Sequence, residues 1–140
     1  MRRRKASSKI DVLNRVPLFG GVSKRGMKEI AKIADEIDLP AGKELLREGD
    51  PGRQFFVLLD GEAEVTRRGS RINTMKKGDF FGEIALVTKM PRTATVTATT
   101  DVDVLVITER DFDALLKKSP QIGRNVAEAL AERVAPELPV

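Results

Sequence analysis

Apolar residues recur at helical spacing in the first part of the chain. They fall at Ile10, Leu13, Val16 and Phe19. Pro17 interrupts this pattern, so we expect a short helix or 3₁₀ turn that packs on the core. Ser23 has the chemistry of an N-cap, and the apolar residues after it predict a second helix that ends near Ala34.

From Glu36 to Thr108 the pattern changes to short apolar or alternating runs separated by turn residues. The run from Phe55 to Leu59 is short enough for a buried strand, and Asp60-Gly61 after it is a strong hairpin signal. Similar runs recur at residues 62–66, 71–75, 93–98 and 102–107. About eight short strands with regular turns predict a jelly-roll β-barrel.

Two more helices are predicted after the strands. Thr108 is an N-cap candidate for a helix from Glu109 to Lys117, and Ser119-Pro120 places a cap and a first-turn proline before the last helix. That helix carries apolar residues at four-residue steps, at Ile122, Val126, Leu130 and Val134, and should end before Pro136. Both a helix fixed on the barrel and a mobile lid fit this stripe. The predicted fold class is α+β: an eight-stranded jelly-roll barrel with N-terminal helices and two C-terminal lid helices.

Composition narrows the possible functions. The 140 residues are 41% hydrophobic and 33% charged, as in one soluble globular domain. With no long apolar run and no signal peptide, we expect no membrane span and a cytoplasmic location. The chain has no cysteine and no histidine, so thiol chemistry is excluded and the commonest general base and metal ligand are missing. We therefore expect no metal and no enzyme, which tells against a cupin-like enzyme on the same jelly roll.

Positive charge is concentrated at the N-terminus. Residues 1–9 contain five basic side chains and no acid, and subtracting these five from the net charge of +4 leaves −1 for the rest. We expect 1–9 to be a disordered basic tail and 10–140 to form the domain. The nearly neutral remainder has no basic stripe of the kind that nucleic-acid readers carry.

The candidate chemistry lies between Phe80 and Val96, which read FFGEIALVTKMPRTATV. Gly82 allows a sharp turn after a strand. The next amides would open a helical turn and point at an anion, and they belong to Glu83, Ile84 and Ala85. Arg92, where the strand is expected to resume, adds donors suited to phosphate. Since an acid repels phosphate, the carboxylate of Glu83 is better suited to ribose hydroxyls. Together these features predict a nucleotide site.

The two halves of this stretch resemble the phosphate-binding cassette of cyclic nucleotide-binding domains. They are Phe81-Gly82-Glu83-Ile84-Ala85-Leu86 and Pro91-Arg92-Thr93-Ala94-Thr95-Val96. That family includes catabolite activator proteins, regulatory subunits of cyclic-AMP-dependent kinase and nucleotide-gated channels. The spacing of Gly42, Gly49, Gly61, Gly78 and Gly82 matches it as well, so the resemblance covers nearly the whole chain.

The resemblance implies that cyclic AMP, or cyclic GMP, binds as a regulatory ligand. Arg92 and the amides of Ala85 and Thr93 would hold the cyclic phosphate, and Glu83 with the Gly82 backbone would hold the ribose 2′-OH. Ile84 and Ala94 complete the expected ligand-binding set within the cassette. The barrel wall and the last helix would hold the base, and binding would draw the C-terminal helices inward.

Arg133 lies where bacterial channel domains of this family place a lid residue over the base. A guanidinium there could stack on a purine, although a lone arginine near a C-terminus is more often solvated.

Thr93 bears on the choice of ligand. Threonine after the cassette arginine accompanies cyclic GMP sites in the family, yet bacterial cyclic AMP sites commonly carry serine or threonine there. One hydrogen bond contributes only about 0.5–1.5 kcal/mol, so cyclic AMP stays favoured.

The chain carries no DNA-binding domain that would supply an output. Its partner is therefore expected to be an unidentified protein effector or a second copy. The chain is either a stand-alone module or a piece of a larger protein, and the Met1 start and basic tail favour the stand-alone module. Two alternatives remain open: a ligand-free barrel used for protein interaction or dimerisation, and a different ligand such as a cyclic dinucleotide.

Overall fold

The computed structural model describes residues 6–82 and 91–134, with side chains from 9 to 82 and from 91 to 128. Within these ranges the helices are α1 Ala6–Leu13, α2 Lys24–Ile33, α3 Glu109–Lys118 and α4 Pro120–Val134. A 3₁₀ turn at Pro17–Phe19 joins α1 to α2. The interruption predicted at Pro17 is therefore present, and the 3₁₀ turn begins at that proline.

Eight strands lie between α2 and α3 in the described ranges. They are β1 Asp35–Leu39, β2 Glu44–Leu46, β3 Gln54–Asp60, β4 Ala63–Arg67, β5 Ser70–Met75, β6 Phe80–Phe81, β7 Thr95–Ala98 and β8 Val102–Thr108. They form two antiparallel four-stranded sheets, in the orders β1-β8-β3-β6 and β2-β7-β4-β5. Two such sheets are the architecture of a jelly roll, which confirms the predicted α+β class.

Strand β3 explains how the core is divided. It is apolar along almost its whole length because both of its faces are buried. Phe55, Val57 and Leu59 point toward the helices, whereas Phe56 and Leu58 point between the two sheets. The first sheet therefore separates a helix-side core from an inter-sheet core.

The helices α2 and α3 begin directly after the predicted N-cap residues. The Ser23 hydroxyl accepts a hydrogen bond from the Gly26 amide at 3.1 Å, and the Thr108 hydroxyl accepts one from Asp111 at 3.3 Å. Helix α4 begins at Pro120, as its proline indicates. Side-chain oxygens at these positions replace the carbonyl partners that the first helical amides lack.

Two boundaries differ from the prediction. Helix α1 begins at Ala6, so it covers four of the nine residues that we assigned to the basic tail. Strand β7 begins at Thr95, so the expectation that the strand resumes at Arg92 was wrong. The main chain of Arg92 bonds instead to the loop after β2, through Gly49 and Asp50.

None of the helices in the described part of the chain combines the length and apolar character needed to cross a membrane.

Candidate functional site

Arg92 lies inside the protein, with 6% of its surface exposed. Its Nη1 donates to the carbonyl oxygen of Gly82 at 2.8 Å, and its Nη2 donates to that of Gln54 at 2.5 Å. Its main-chain amide donates to Asp50, and its carbonyl accepts from Gly49 at 2.9 Å. Both the guanidinium and the backbone of Arg92 are therefore fixed by the surrounding main chain.

Gly82 directly follows β6, whose Phe81 pairs with Phe56 of β3. Its φ is +98°, in the region that favours glycine. A Cβ here would lie 2.8 Å from the Gln54 carbonyl oxygen and 2.9 Å from Nη1 of Arg92. The backbone at Gly82 can pass this close to Arg92 only because it carries no side chain.

Residues 93 and 94 connect Arg92 to β7. Ala94 is 1% exposed and belongs to the inter-sheet core. Thr93 is half-buried, and its carbonyl accepts a hydrogen bond from Nε of Arg67 at 2.8 Å. The Thr95 hydroxyl accepts one from the Glu48 amide at 3.0 Å. The segment is thus held by the loop after β2 on one side and by β4 on the other.

These contacts set the direction of the amides. In a trans peptide the carbonyl and the following N–H point in opposite directions. Because Gly49 donates to the Arg92 carbonyl, the N–H of Thr93 is directed away from Gly49. The Thr93 amide therefore faces the side of the segment opposite that loop.

Charged side chains of β2 and of the loop after it make two of the contacts that shape this region. The side chain of Arg47 donates to Glu44, with Nη2 and Oε1 2.6 Å apart. This hydrogen bond is the main reason that the pKa of Arg47 is raised, followed by attraction to Glu44 and to Asp50. The Glu48 carboxylate accepts from the amide of Arg68, which ties the loop to the turn after β4.

Part of the predicted site lies outside the described residues. Glu83, Ile84 and Ala85, with the helical turn expected there, fall in the range 83–90. The side chain of Arg133 is not among those described, although its backbone belongs to α4. The structure brings Gly82, Arg92, Thr93 and Ala94 together, and the ligand roles of all eight residues remain predictions.

Comparison with known proteins identifies the family. Residues 36–119, more than half of the chain, match the family described as the cyclic nucleotide-binding domain. The chain belongs to this family. The resemblance inferred from the two halves of the cassette is confirmed.

Relatives of this cyclic nucleotide-binding domain include both a kinase regulatory subunit and an ion channel. A cAMP-dependent protein kinase regulatory subunit of Neurospora crassa is 39% identical over 126 residues, covering 89% of this chain and 33% of that protein. A cyclic nucleotide-gated potassium channel of Rhizobium etli is 34% identical over 118 residues, which cover 84% of this chain and 33% of that protein. The cAMP-bound structure of PfPKA-R superposes with a TM-score of 0.78 at 28% identity. The match covers 91% of this chain and 47% of the PfPKA-R chain. This chain thus spans about a third of the length of those two relatives.

Sequence reasoning missed three contributors to the cassette of this domain. Gln54 and Asp50 act through backbone carbonyls, so their side chains carry no signal. Arg67 lies on another strand, 26 residues before its partner Thr93. Only the pairing of β4 with β7 brings them together, and the sequence does not specify that register.

A second polar cluster lies away from the cassette. Carboxylate oxygens of Glu36, Asp38 and Asp103 lie within 4.8 Å of one another. Glu36 and Asp103 are buried, and Asp38 is exposed. Asp103 is near the start of β8, whereas Gln54, beside Arg92, pairs with Thr108 at its end. An acidic cluster does not by itself indicate a bound ion, and this one is not part of the candidate site.

Proposed function

We propose that this domain binds a cyclic nucleotide as a regulatory ligand, favours cyclic AMP over cyclic GMP, and leaves the ligand chemically unchanged. The observation that carries the proposal is the buried guanidinium of Arg92, fixed against Gly82 within the cassette. A buried cation with its geometry set in advance is suited to a phosphate. The N. crassa relative is named for dependence on cAMP, and the PfPKA-R structure contains cAMP.

Each part of the ligand has a proposed partner. Arg92 and the amides of Thr93 and Ala85 hold the cyclic phosphate, and Glu83 with the Gly82 backbone holds the ribose 2′-OH. The absence of histidine and cysteine from the sequence supports binding without turnover. Ile84 and Ala94 complete the cassette, and Arg133 on α4 stacks on the base.

The output is proposed to pass through the C-terminal helices. Binding shifts the population of α3 and α4 toward a closed arrangement, which a partner then recognises. The name of the N. crassa relative, a kinase regulatory subunit, supports a protein effector of the kinase type. Self-association is the alternative output.

Calorimetric titration with cyclic AMP and with cyclic GMP tests the proposal directly. We expect saturable binding to the wild-type protein and a loss of about 100-fold or more in Arg92→Ala, because hydrogen bonds to charged groups contribute about 1.5–3 kcal/mol each. Arg71→Ala, at an exposed position on β5, is the matched control and should bind as the wild type does. Folded wild-type protein that gives no heat with either ligand would leave the ligand-free interaction module as the better proposal.

Thr93→Ala tests ligand selection. We expect its affinity for cyclic GMP to fall by up to about tenfold, because one hydroxyl hydrogen bond is removed, with a smaller loss for cyclic AMP. The ratio of the two dissociation constants is the readout. Equal losses for the two ligands would mean that the Thr93 hydroxyl does not select between them.

A further inference from the structure

We propose that Arg67 is a positioning residue for the phosphate-binding half of the cassette. It lies on β4, outside the cassette in sequence, and acts on the peptide that joins Thr93 to Ala94. This inference rests on the proposed function, since it concerns how the same site holds its phosphate.

The register of the sheet explains why Arg67 has this place. Strands β4 and β7 pair from Ala63–Ala98 to Thr66–Thr95, where β7 begins. Arg67 is the last residue of β4, and Arg68 then turns away with a φ of +53°. Beyond the end of the paired strands, the side chain of Arg67 supplies a donor to the main chain of the neighbouring segment. Its Nε lies 2.8 Å from the carbonyl oxygen of Thr93.

That hydrogen bond orients an amide of the cassette. The Thr93 carbonyl and the Ala94 N–H belong to one trans peptide and point in opposite directions. With the carbonyl held by Arg67 on one side, the Ala94 N–H is directed away from Arg67. Gly49 orients the preceding peptide in the same way, through the carbonyl of Arg92.

Two consecutive peptides of the cassette are therefore oriented by donors from other parts of the fold. Donors that are already oriented need no reorganisation when an anion arrives, which favours binding. With the peptides on both sides of Thr93 held in this way, the Thr93 amide that is proposed to hold the phosphate is fixed in advance, and Arg67 strengthens phosphate binding without touching the phosphate.

Three substitutions separate the contribution of the Arg67 hydrogen bond from the contribution of its charge. Arg67→Gln places an amide nitrogen as many bonds from the backbone as Nε and carries no charge. Arg67→Lys keeps the charge but has a methylene group at that point. Arg67→Met removes both the donor and the charge. Arg71→Gln is the matched control, because it makes the same charge change at an exposed arginine on the adjacent strand β5.

The experiment measures each variant's affinity for cyclic AMP and for its two phosphorothioate diastereomers, which carry sulfur at one or the other exocyclic position. We expect Arg67→Gln to stay within about threefold of the wild type, and Arg67→Lys and Arg67→Met to lose about tenfold, the effect of one hydrogen bond. These two variants should also discriminate less between the diastereomers. A general loss of stability would weaken both diastereomers equally, and the unfolding temperature without ligand measures that loss separately.

The remaining outcomes overturn the inference in distinguishable ways. If Arg67→Lys binds like the wild type and Arg67→Gln does not, Arg67 acts through charge and the positioning role is wrong. If every variant binds like the wild type, Arg67 has no role. In both cases the proposed function stands, provided that Arg92→Ala still lowers the affinity by about 100-fold or more. A wild-type protein that binds no cyclic nucleotide overturns both proposals. If Arg67→Met fails to fold, the affinities of Arg67→Gln and Arg67→Lys still distinguish the hydrogen bond from the charge.

Discussion

At the scale of single residues, the cassette depends on one close approach between a glycine and an arginine. Gly82 and Arg92 meet because the glycine has no Cβ and because the Gln54 carbonyl takes a second guanidinium donor. The sequence predicted that Gly82 turns the chain, since that property depends on residue identity. It did not predict Gln54, whose contribution comes from its backbone. Side-chain chemistry can be inferred from sequence, whereas main-chain acceptors depend on tertiary structure.

Substituting Gly82 by alanine should disturb both stability and binding. The new Cβ would lie under 3.0 Å from the Gln54 carbonyl oxygen and from Nη1 of Arg92, at a φ of +98°. We expect the free energy of unfolding to fall by about 1–3 kcal/mol and the affinity for cyclic AMP to fall at least about tenfold, because Arg92 must move. Urea denaturation and calorimetric titration measure the two effects.

Gly78→Ala is the matched control for that substitution. Its φ is +93°, but a Cβ there would meet nothing within 4 Å. It should therefore show the backbone strain without the loss of affinity. If Gly82→Ala binds cyclic AMP as tightly as Gly78→Ala does, the contact with Arg92 is not what Gly82 provides.

At the scale of elements, α4 is tied to the 3₁₀ turn by a side chain that the apolar stripe did not reveal. Asn125 donates to the carbonyl oxygens of Leu18 and Gly20 at 2.9 and 2.8 Å. Ile122 and Val126 of the predicted stripe are buried in the helix-side core. Periodicity and cap residues therefore located the helix and its buried face. They could not locate its polar anchor, because the partners are carbonyls more than 100 residues away.

Removing this anchor should loosen α4. We expect Asn125→Ala to lower the free energy of unfolding by about 1–3 kcal/mol, since two carbonyls lose a donor. Asn125→Asp should cost more, because it places a carboxylate against those oxygens. Chemical denaturation measures both changes, and Asn14→Ala, at an exposed asparagine, should stay within about 0.5 kcal/mol of the wild type. An Asn125→Ala protein as stable as Asn14→Ala would show that the apolar face alone holds the helix.

At the scale of the whole molecule, Phe55 connects the strand beside Arg92 with the helix-side core. Phe55 follows Gln54, whose carbonyl holds Arg92. The ring of Phe55 lies 6.3 Å from that of Phe19 in the 3₁₀ turn and 5.3 Å from that of Phe112 in α3. A displacement of Gln54 when Arg92 engages a phosphate would thus reach the helices through packed rings, because close-packed cores transmit small shifts. Phe55 lies on the helix side of the first sheet, so its ring contacts connect the residues around Arg92 with the helices.

Because Arg92 of the cassette is buried in the folded domain, ligand binding should raise the stability of the whole domain. A ligand that binds only the folded state at 100 times its dissociation constant adds about 2.7 kcal/mol. For a domain of this size that corresponds to a rise in unfolding temperature on the order of 10 °C. Calorimetric scans with and without cyclic AMP measure it, and the rise should increase with the logarithm of ligand concentration. Arg92→Ala should lose most of this rise, because a site weakened about 100-fold is at best half-filled at that ligand concentration, whereas Arg71→Ala should keep the full rise. An equal rise in wild type and Arg92→Ala would mean that the nucleotide stabilises the fold at another place, and the cassette would lose its assigned role.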